Sequence, residues 1–397
     1  MKIGVYFPDI RPEAGGAGSL LKTIQNEIML SKDAENKYIF LYHGGKAPLI
    51  TNFESFDYLN LDFYKKSKIK RFKERVKKAL YPDCYIPGAF DFAAKENDID
   101  LFWFTSSSEV DINYPYIYTV WDLGHRRTPY FPEVSRSGWL WDSREFTYQK
   151  MLYKASFIIT GNEEGKKEIL ENYPLPEGKI RIAPFPVASF CRGNEEKPDF
   201  ELAEKFFFYP AQFWPHKNHI SIVEALKILR DKYNLTPSFY LSGTDWGNKD
   251  YIVSKIKEYN LENQIKFTGF LKDENMKYLY THATAIVFAS LMGPNNMPPI
   301  EATYLNCPVI ITNLDGHKEQ LGDTALYFDG YDYEELASKM KLLLTDEKER
   351  EALKAKEKIL AKEFDSISYF SEIKKVIDEF SKIRKTWGKD FSYVQRW

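Results

Sequence analysis

The strongest constraint in this chain is a recurring unit: a short, almost uninterrupted apolar run followed by a segment with apolar residues at helical spacing. KIGVYF (2–7), KYIFLYH (37–43), LFWFT (101–105), YIYTVWD (116–122), FIITGN (157–162) and KIRIAPFPV (179–187) form a first series. FFFYP (206–210), SFYLSG (238–243), QIKFTG (264–269), TAIVFAS (284–290), PVIIT (308–312) and ALYF (325–328) form a second. A strand that is apolar throughout is covered on both faces. With helices between such strands the connections cross over, and the sheet is parallel and doubly wound. The expected fold is α/β, with two Rossmann-like domains in tandem. The stretch 188–205 is charged and aperiodic and reads as a linker between a domain at 1–187 and a domain at 206–368. Ligands of such sheets bind beyond the carboxyl ends of the strands. With two domains, the candidate site is the cleft between them.

Composition narrows the classes of partner. Basic and acidic residues nearly cancel, 55 against 57, so bulk charge gives no case for nucleic acid. Cys84, Cys191 and Cys307 are too far apart for a metal-ligand spacing or a disulfide framework, which suits a reducing, cytoplasmic compartment. The start, MKIGVYFP, reads as a first strand and not as a leader. No apolar run approaches the roughly 20 residues that span a bilayer.

Four stretches carry candidate chemistry. Gly15, Gly16 and Gly18 lie between a strand and a helix, where glycine lets the backbone approach an anion closely; a plain flexible connection is the alternative. In YPAQFWPHKNHI, His216, Lys217 and His219 stand near a helix start, which is already electropositive, and a bound anion would relieve that repulsion. Lys217 is therefore a candidate phosphate ligand. Pro298 and Pro299 suit a first helical turn. Glu301 just behind them either stabilises the helix or accepts hydrogen bonds from ribose hydroxyls. Asp122, His125 and Arg126 follow the strand 116–122; His125 could orient an acceptor hydroxyl or donate to a leaving phosphate, or the cluster could be structural. The DID at 98–100 precedes a strand, at the wrong end of the sheet for a metal site.

YPAQFWPHKNH, GPNNMPPIEATYLNCPVIITN and GHKEQLGDTALYFDGYD together resemble glycosyltransferase family 4, and YTVWDLGHRRTPYFPE resembles the family's acceptor-side segment. The resemblance implies a retaining, nucleotide-sugar-dependent enzyme of the GT-B fold, with no metal and a UDP- or GDP-sugar as donor. It implies that Lys217 neutralises the donor diphosphate and that Glu301 is the second glutamate of a Glu-x7-Glu motif, on the nucleotide ribose. The backbone of Asn296, Met297 and Pro298 would face the phosphate and donor sugar, and that of Phe270 and Leu271 the base. It also implies a final helix, within 369–397, that packs back on the first domain. Catalysis would be front-face, with the leaving diphosphate helping to deprotonate the acceptor and the protein positioning and stabilising charge. Three positions depart from the pattern. Gly293 replaces the first glutamate, Gln212 the arginine before the lysine, and Trp121 the acceptor-side histidine. Asn295 and Asn296 would then offer neutral hydrogen bonds to sugar hydroxyls.

The segment 64–82 is basic, and Ile69, Phe72, Val76 and Leu80 fall on one helical face. Such stretches lie on anionic membrane surfaces, although an apolar face packed on the domain explains them too. The expected function is transfer of a hexose to a saccharide acceptor, lipid-linked in a surface-polysaccharide pathway, at the inner face of a membrane. The alternatives are a nucleotide-sugar epimerase and a non-catalytic sugar-binding homologue.

Overall fold

The computed structural model describes residues 1–9, 15–31, 33–44, 56–64, 76–77, 79–80, 86–366 and 368–388. The basic segment 64–82 therefore lies mostly outside the described residues, as does Cys84.

Strands β1 (Lys2–Tyr6), β2 (Lys37–Tyr42), β3 (Asp57–Asn60), β4 (Leu101–Phe104), β5 (Tyr116–Thr119), β6 (Phe157–Thr160) and β7 (Ile180–Ile182) build one sheet in the order 3-2-1-4-5-6-7. Strands β8 (Phe206–Pro210), β9 (Ser238–Ser242), β10 (Ile265–Gly269), β11 (Ala285–Phe288), β12 (Val309–Thr312) and β13 (Ala325–Phe328) build a second in the order 10-9-8-11-12-13. All of these pairings are parallel. The central strands LFWF, AIVF and VIIT are buried along their whole length. That burial on both faces explains why these runs are apolar without alternation. β3 was not anticipated. Its sequence DYLN is half polar and only partly buried, as an edge strand can be.

In each sheet the chain reverses its winding at the first strand, between β1 and β4 and between β8 and β11. Such a switch point leaves a crevice at the carboxyl ends of the two strands. The helix Tyr369–Arg384 lies on the first sheet's side: Tyr369 meets Trp103 at 6.1 Å between rings and Phe370 meets Tyr38 at 5.5 Å. Arg384 closes this contact on Asp100 at 2.8 Å. The aspartates of the DID are thus turned to the amino-terminal end of β4, away from the crevice.

Candidate active site

The crevices of the two sheets meet in one cavity of about 530 Å3, lined from both domains. The first sheet contributes the loop Gly15–Ser19 after β1 and Trp121–Asp122 after β5. The second contributes Gln212 and Lys217 after β8, Phe270 and Leu271 after β10, and Met292 to Pro298 with Glu301 after β11.

Lys217 ends the short turn Pro215–Lys217, and Asn218 then takes a left-handed conformation that starts the helix His219–Tyr233. The turn is pinned by its backbone: the Tyr209 hydroxyl donates to the Lys217 carbonyl at 2.8 Å and the Leu291 N–H to the His216 carbonyl at 2.8 Å. The ammonium sits over the Phe288 ring at 5.2 Å and reaches only neutral oxygens, Ser290 Oγ and Asn296 Oδ1, each at 3.4 Å. Among the described residues it makes no ion pair. Burial pushes its pKa down to about 8, against the opposing pull of Asp122 and Glu133. The flanking histidines differ from the expectation. Burial lowers His216 to about 4 and His219 to about 3, so both are neutral. The repulsion inferred at the helix start therefore reduces to Lys217 alone.

The helix Met297–Tyr304 begins one residue earlier than its prolines suggest, so Glu301 stands in the second turn and not the first. Its carboxylate is buried, accepts a hydrogen bond from the Tyr280 hydroxyl at 2.7 Å, and still borders the cavity. Burial raises its pKa to about 7. Pro298 and Pro299 have no N–H, so the first turn offers the amides of Met297 and Ile300 and the positive end of the helix dipole. The tip is fixed by Gln320, which brackets Asn296 with bonds of 3.1 Å to its backbone N–H and carbonyl.

Both asparagines border the cavity, and each spends an Nδ2 proton within the protein. Asn296 Nδ2 donates to His317 Nε2 at 2.9 Å, because His317 is neutral and gives its Nδ1 proton to the Thr312 carbonyl at 2.9 Å. That leaves Asn296 Oδ1 facing Lys217. Asn295 Nδ2 donates across the cleft to Asn162 Oδ1 at 2.8 Å. Gly293, with φ of +110°, would bring a Cβ within 3.0 Å of the Asn296 amide.

From the first domain, Gly15 and Gly16 open the helix Gly16–Leu30 against the second domain. A Cβ on Gly15, which has φ of +64°, would meet Gln212 at 3.5 Å; one on Gly16 would meet Met297 at 3.9 Å. Gly18 is buried and borders the same cavity. Two helix N-termini, at 16 and at 297, thus point into one space beside an unpaired lysine. Asp122 borders it too. Burial would raise its carboxyl, but Arg144 at 2.8 Å and the Gly124 N–H at 2.7 Å more than offset this and hold it below the usual carboxylate range.

His125 does not join them. It is fully buried, does not line the cavity, stacks on Tyr148 at 5.3 Å and bonds Glu145 through Nε2 at 3.1 Å. Burial depresses it to about 4. The short helix Gly124–Arg127 turns the side chain into the domain core, where Glu145 also binds Arg126. The assignment of His125 to the acceptor site is therefore corrected to a structural one.

Sequence reasoning missed the residues that join the domains. Glu133, buried in the first domain, accepts from His216 through both the backbone N–H, at 3.1 Å, and Nδ1, at 2.5 Å. Asn162 caps the helix Glu163–Asn172 and donates to the Pro294 carbonyl at 2.7 Å. Glu319 of the second domain accepts from the N–H groups of Glu163 at 2.7 Å and Glu164 at 2.9 Å, a carboxylate on a helix N-terminus of the opposite domain. None of these pairings leaves a periodic signal in sequence.

Comparison with known proteins shows what the chain is similar to. Residues 193–359 match the family described as glycosyl transferases group 1. That stretch, the greater part of the second half of the chain, is similar to a group 1 glycosyltransferase domain. Its relatives include the O-antigen chain mannosyltransferase RfbU of Salmonella typhimurium, 27% identical over 202 residues, which are 49% of this chain and 53% of that protein. An N-acetylgalactosamine-N,N'-diacetylbacillosaminyl-diphospho-undecaprenol 4-alpha-N-acetylgalactosaminyltransferase of Campylobacter jejuni is 27% identical over 222 residues, 55% of this chain and 59% of that protein. The chain spans little more than half the length of these curated relatives. Among solved structures, the sucrose-phosphate synthase of Thermosynechococcus elongatus superposes with a TM-score of 0.72 at 15% identity, covering 97% of this chain and 100% of that one. Anabaena HepE in complex with UDP-glucose gives 0.65 at 13% identity, covering 96% and 100%. At these identities the likeness establishes the fold, GT-B, and the match to the group 1 model falls in its second half.

Proposed function

We propose that this protein is a retaining glycosyltransferase that moves a hexose from a UDP- or GDP-sugar to a saccharide acceptor, without a metal ion. The observation that carries the reading is the convergence of Lys217, an ammonium with no anionic partner among the described residues, with two helix N-termini in one cavity. A diphosphate supplies the missing negative charge. Glu301, one turn into the second helix, is placed to accept from ribose hydroxyls, and Phe270 and Leu271 to cover the base.

The carboxylates described along the cavity suit a front-face reaction with retention. Among the described residues its carboxylates are Asp122, held by Arg144; Asp273, paired with Lys22 at 2.7 Å; and Glu301, bonded to Tyr280. None of the three is a free nucleophile. The leaving diphosphate then takes the acceptor proton on the face it departs from, while Lys217 and the helix tips stabilise its charge. The names of the relatives, an O-antigen chain mannosyltransferase and a transferase acting on a diphospho-undecaprenol, support a lipid-linked glycan as acceptor and a surface polysaccharide as product. Work at the inner face of a membrane fits such an acceptor.

The test is a panel of UDP-glucose, UDP-galactose, UDP-N-acetylglucosamine and GDP-mannose, scored for nucleotide diphosphate release with and without a lipid-linked saccharide. Acceptor-dependent release of UDP or GDP, with an α-linked product from an α-linked donor, is expected. An isomerised nucleotide sugar formed from donor alone would replace transfer by epimerisation, and no binding of any donor would remove the reading altogether.

A further inference from the structure

One buried contact between the domains has no place in the reading so far. Glu133 belongs to the first domain and His216 to the second; they are 1% and 3% exposed. Glu133 Oε1 accepts both the Nδ1 proton and the backbone N–H of His216, and its Oε2 has no partner among the described residues. An ionised carboxylate only accepts, so the contact fixes the tautomer: the ring's single proton sits on Nδ1 and Nε2 carries a lone pair. Nε2 has no protein partner among the described residues, and His216 lines the cavity directly before Lys217. The rings of Trp139, at 5.5 Å, and Phe131, at 6.1 Å, hold the imidazole edge-on.

We propose that His216 is a substrate-contacting residue whose Nε2 accepts a hydrogen bond from a sugar hydroxyl, and that Glu133 is the positioning residue that presents it across the cleft. This rests on the glycosyltransferase reading. A buried carboxylate that served only to pin two domains would be costly to desolvate, and a neutral pair would do that work more cheaply. What the carboxylate adds is orientation of one lone pair beside a cation. A hydroxyl donating to Nε2 and a phosphate oxygen accepting from Lys217 are the two ends of one substrate, or of donor and acceptor in contact. Of the nearby asparagines, Asn295 donates to Asn162 and the Asn296 amide nitrogen to His317. Because the two members come from different domains, the acceptor atom is set in place only when the cleft is closed.

The test uses the full chain and the variant His216→Asn, which keeps an N–H for Glu133 and deletes Nε2. Binding of UDP and GDP, binding of the intact nucleotide sugars, and turnover of whichever donor the wild type uses are measured together. If the hydroxyl belongs to the donor sugar, affinity for the nucleotide sugar falls about 10- to 100-fold while that for the nucleotide diphosphate holds. If it belongs to the acceptor, both affinities hold and turnover falls by a similar factor. Glu133→Gln, which keeps an oxygen for the Nδ1 proton, is the second variant should His216→Asn not fold. It is expected to lose less than Glu133→Ala in the same parameter at matched thermal stability. Unchanged nucleotide-sugar affinity and turnover in His216→Asn, or losses in the Glu133 variants that merely track Tm, overturn the proposal. A wild type that binds none of the nucleotide sugars overturns the reading beneath it instead.

Discussion

Replacing Lys217 by methionine has two consequences of opposite sign. Methionine keeps the apolar stem over Phe288 and removes only the ammonium. In the free protein that ammonium is held against its preference, since burial lowers its pKa from 10.5 to about 8. A shift of that size corresponds to at most about 3 kcal/mol, and about 1–3 after allowing for the partial exposure of the side chain. Because folding lowers this pKa, the destabilisation is complete below about 8 and vanishes as the pH rises through 10.5. Lys217→Met should therefore raise Tm at pH 7, and the gain should fade toward pH 10.5. Ligand binding moves the other way. A charge-assisted contact to a diphosphate is worth about 1.5–3 kcal/mol, so the affinity for UDP or GDP should fall about 10- to 100-fold. Thermal unfolding at pH 7 and pH 10, with and without millimolar nucleotide, reads both effects in one assay. A variant that melts lower than wild type while binding nucleotide equally well would show Lys217 to be a structural residue and refute the reasoning.

Glu301 has a folded pKa raised to about 7 from 4.5, so its ionisation weakens the fold from pH 4.5 upward and fully above 7. Glu301→Gln should gain stability at pH 8 but not at pH 4.5. The wild type should gain nucleotide-sugar affinity between pH 6 and pH 8, followed by calorimetry, and the variant should not. Glu357 is fully buried, neither carboxylate oxygen has a partner among the described residues, and burial raises it from 4.5 to about 8. Glu357→Met should stabilise by about 2–4 kcal/mol at pH 8 and by much less at pH 5, read by denaturant unfolding. Glu319→Ala uncovers the N–H groups of Glu163 and Glu164 and should weaken the clasp between domains by about 0.5–2 kcal/mol. Small-angle scattering should then show a larger radius of gyration for the variant without nucleotide.

The strands were legible because burial on both faces demands continuous apolar runs, and LFWF, AIVF and VIIT leave little other use for such residues. β3 was not, since an edge strand such as DYLN carries no such demand. The positions of Lys217, Asp122 and the 297–301 corner followed from their place after β8, β5 and β11, where this topology puts any polar residue near the crevice. Position after a strand does not fix the direction of a side chain, and His125 shows the limit. Its ring turns inward to meet Glu145, twenty positions along the chain. Asn295 was read as a ligand group because Gly293 replaces a glutamate, and its bond to Asn162 of the other domain was not foreseen. Glu133, Asn162 and Glu319 were invisible because each acts through a contact between domains, which neither spacing nor periodicity encodes.

The central claim is that the seam between the two sheets holds a nucleoside diphosphate. A crystal structure of the protein with UDP or GDP tests it most directly. The account predicts diphosphate oxygens within about 3 Å of Lys217 Nζ, with the tip of the helix Met297–Tyr304 against them and the ribose hydroxyls on Glu301. A nucleotide bound elsewhere, or one seated in the cavity with its phosphates turned away from Lys217, would contradict it.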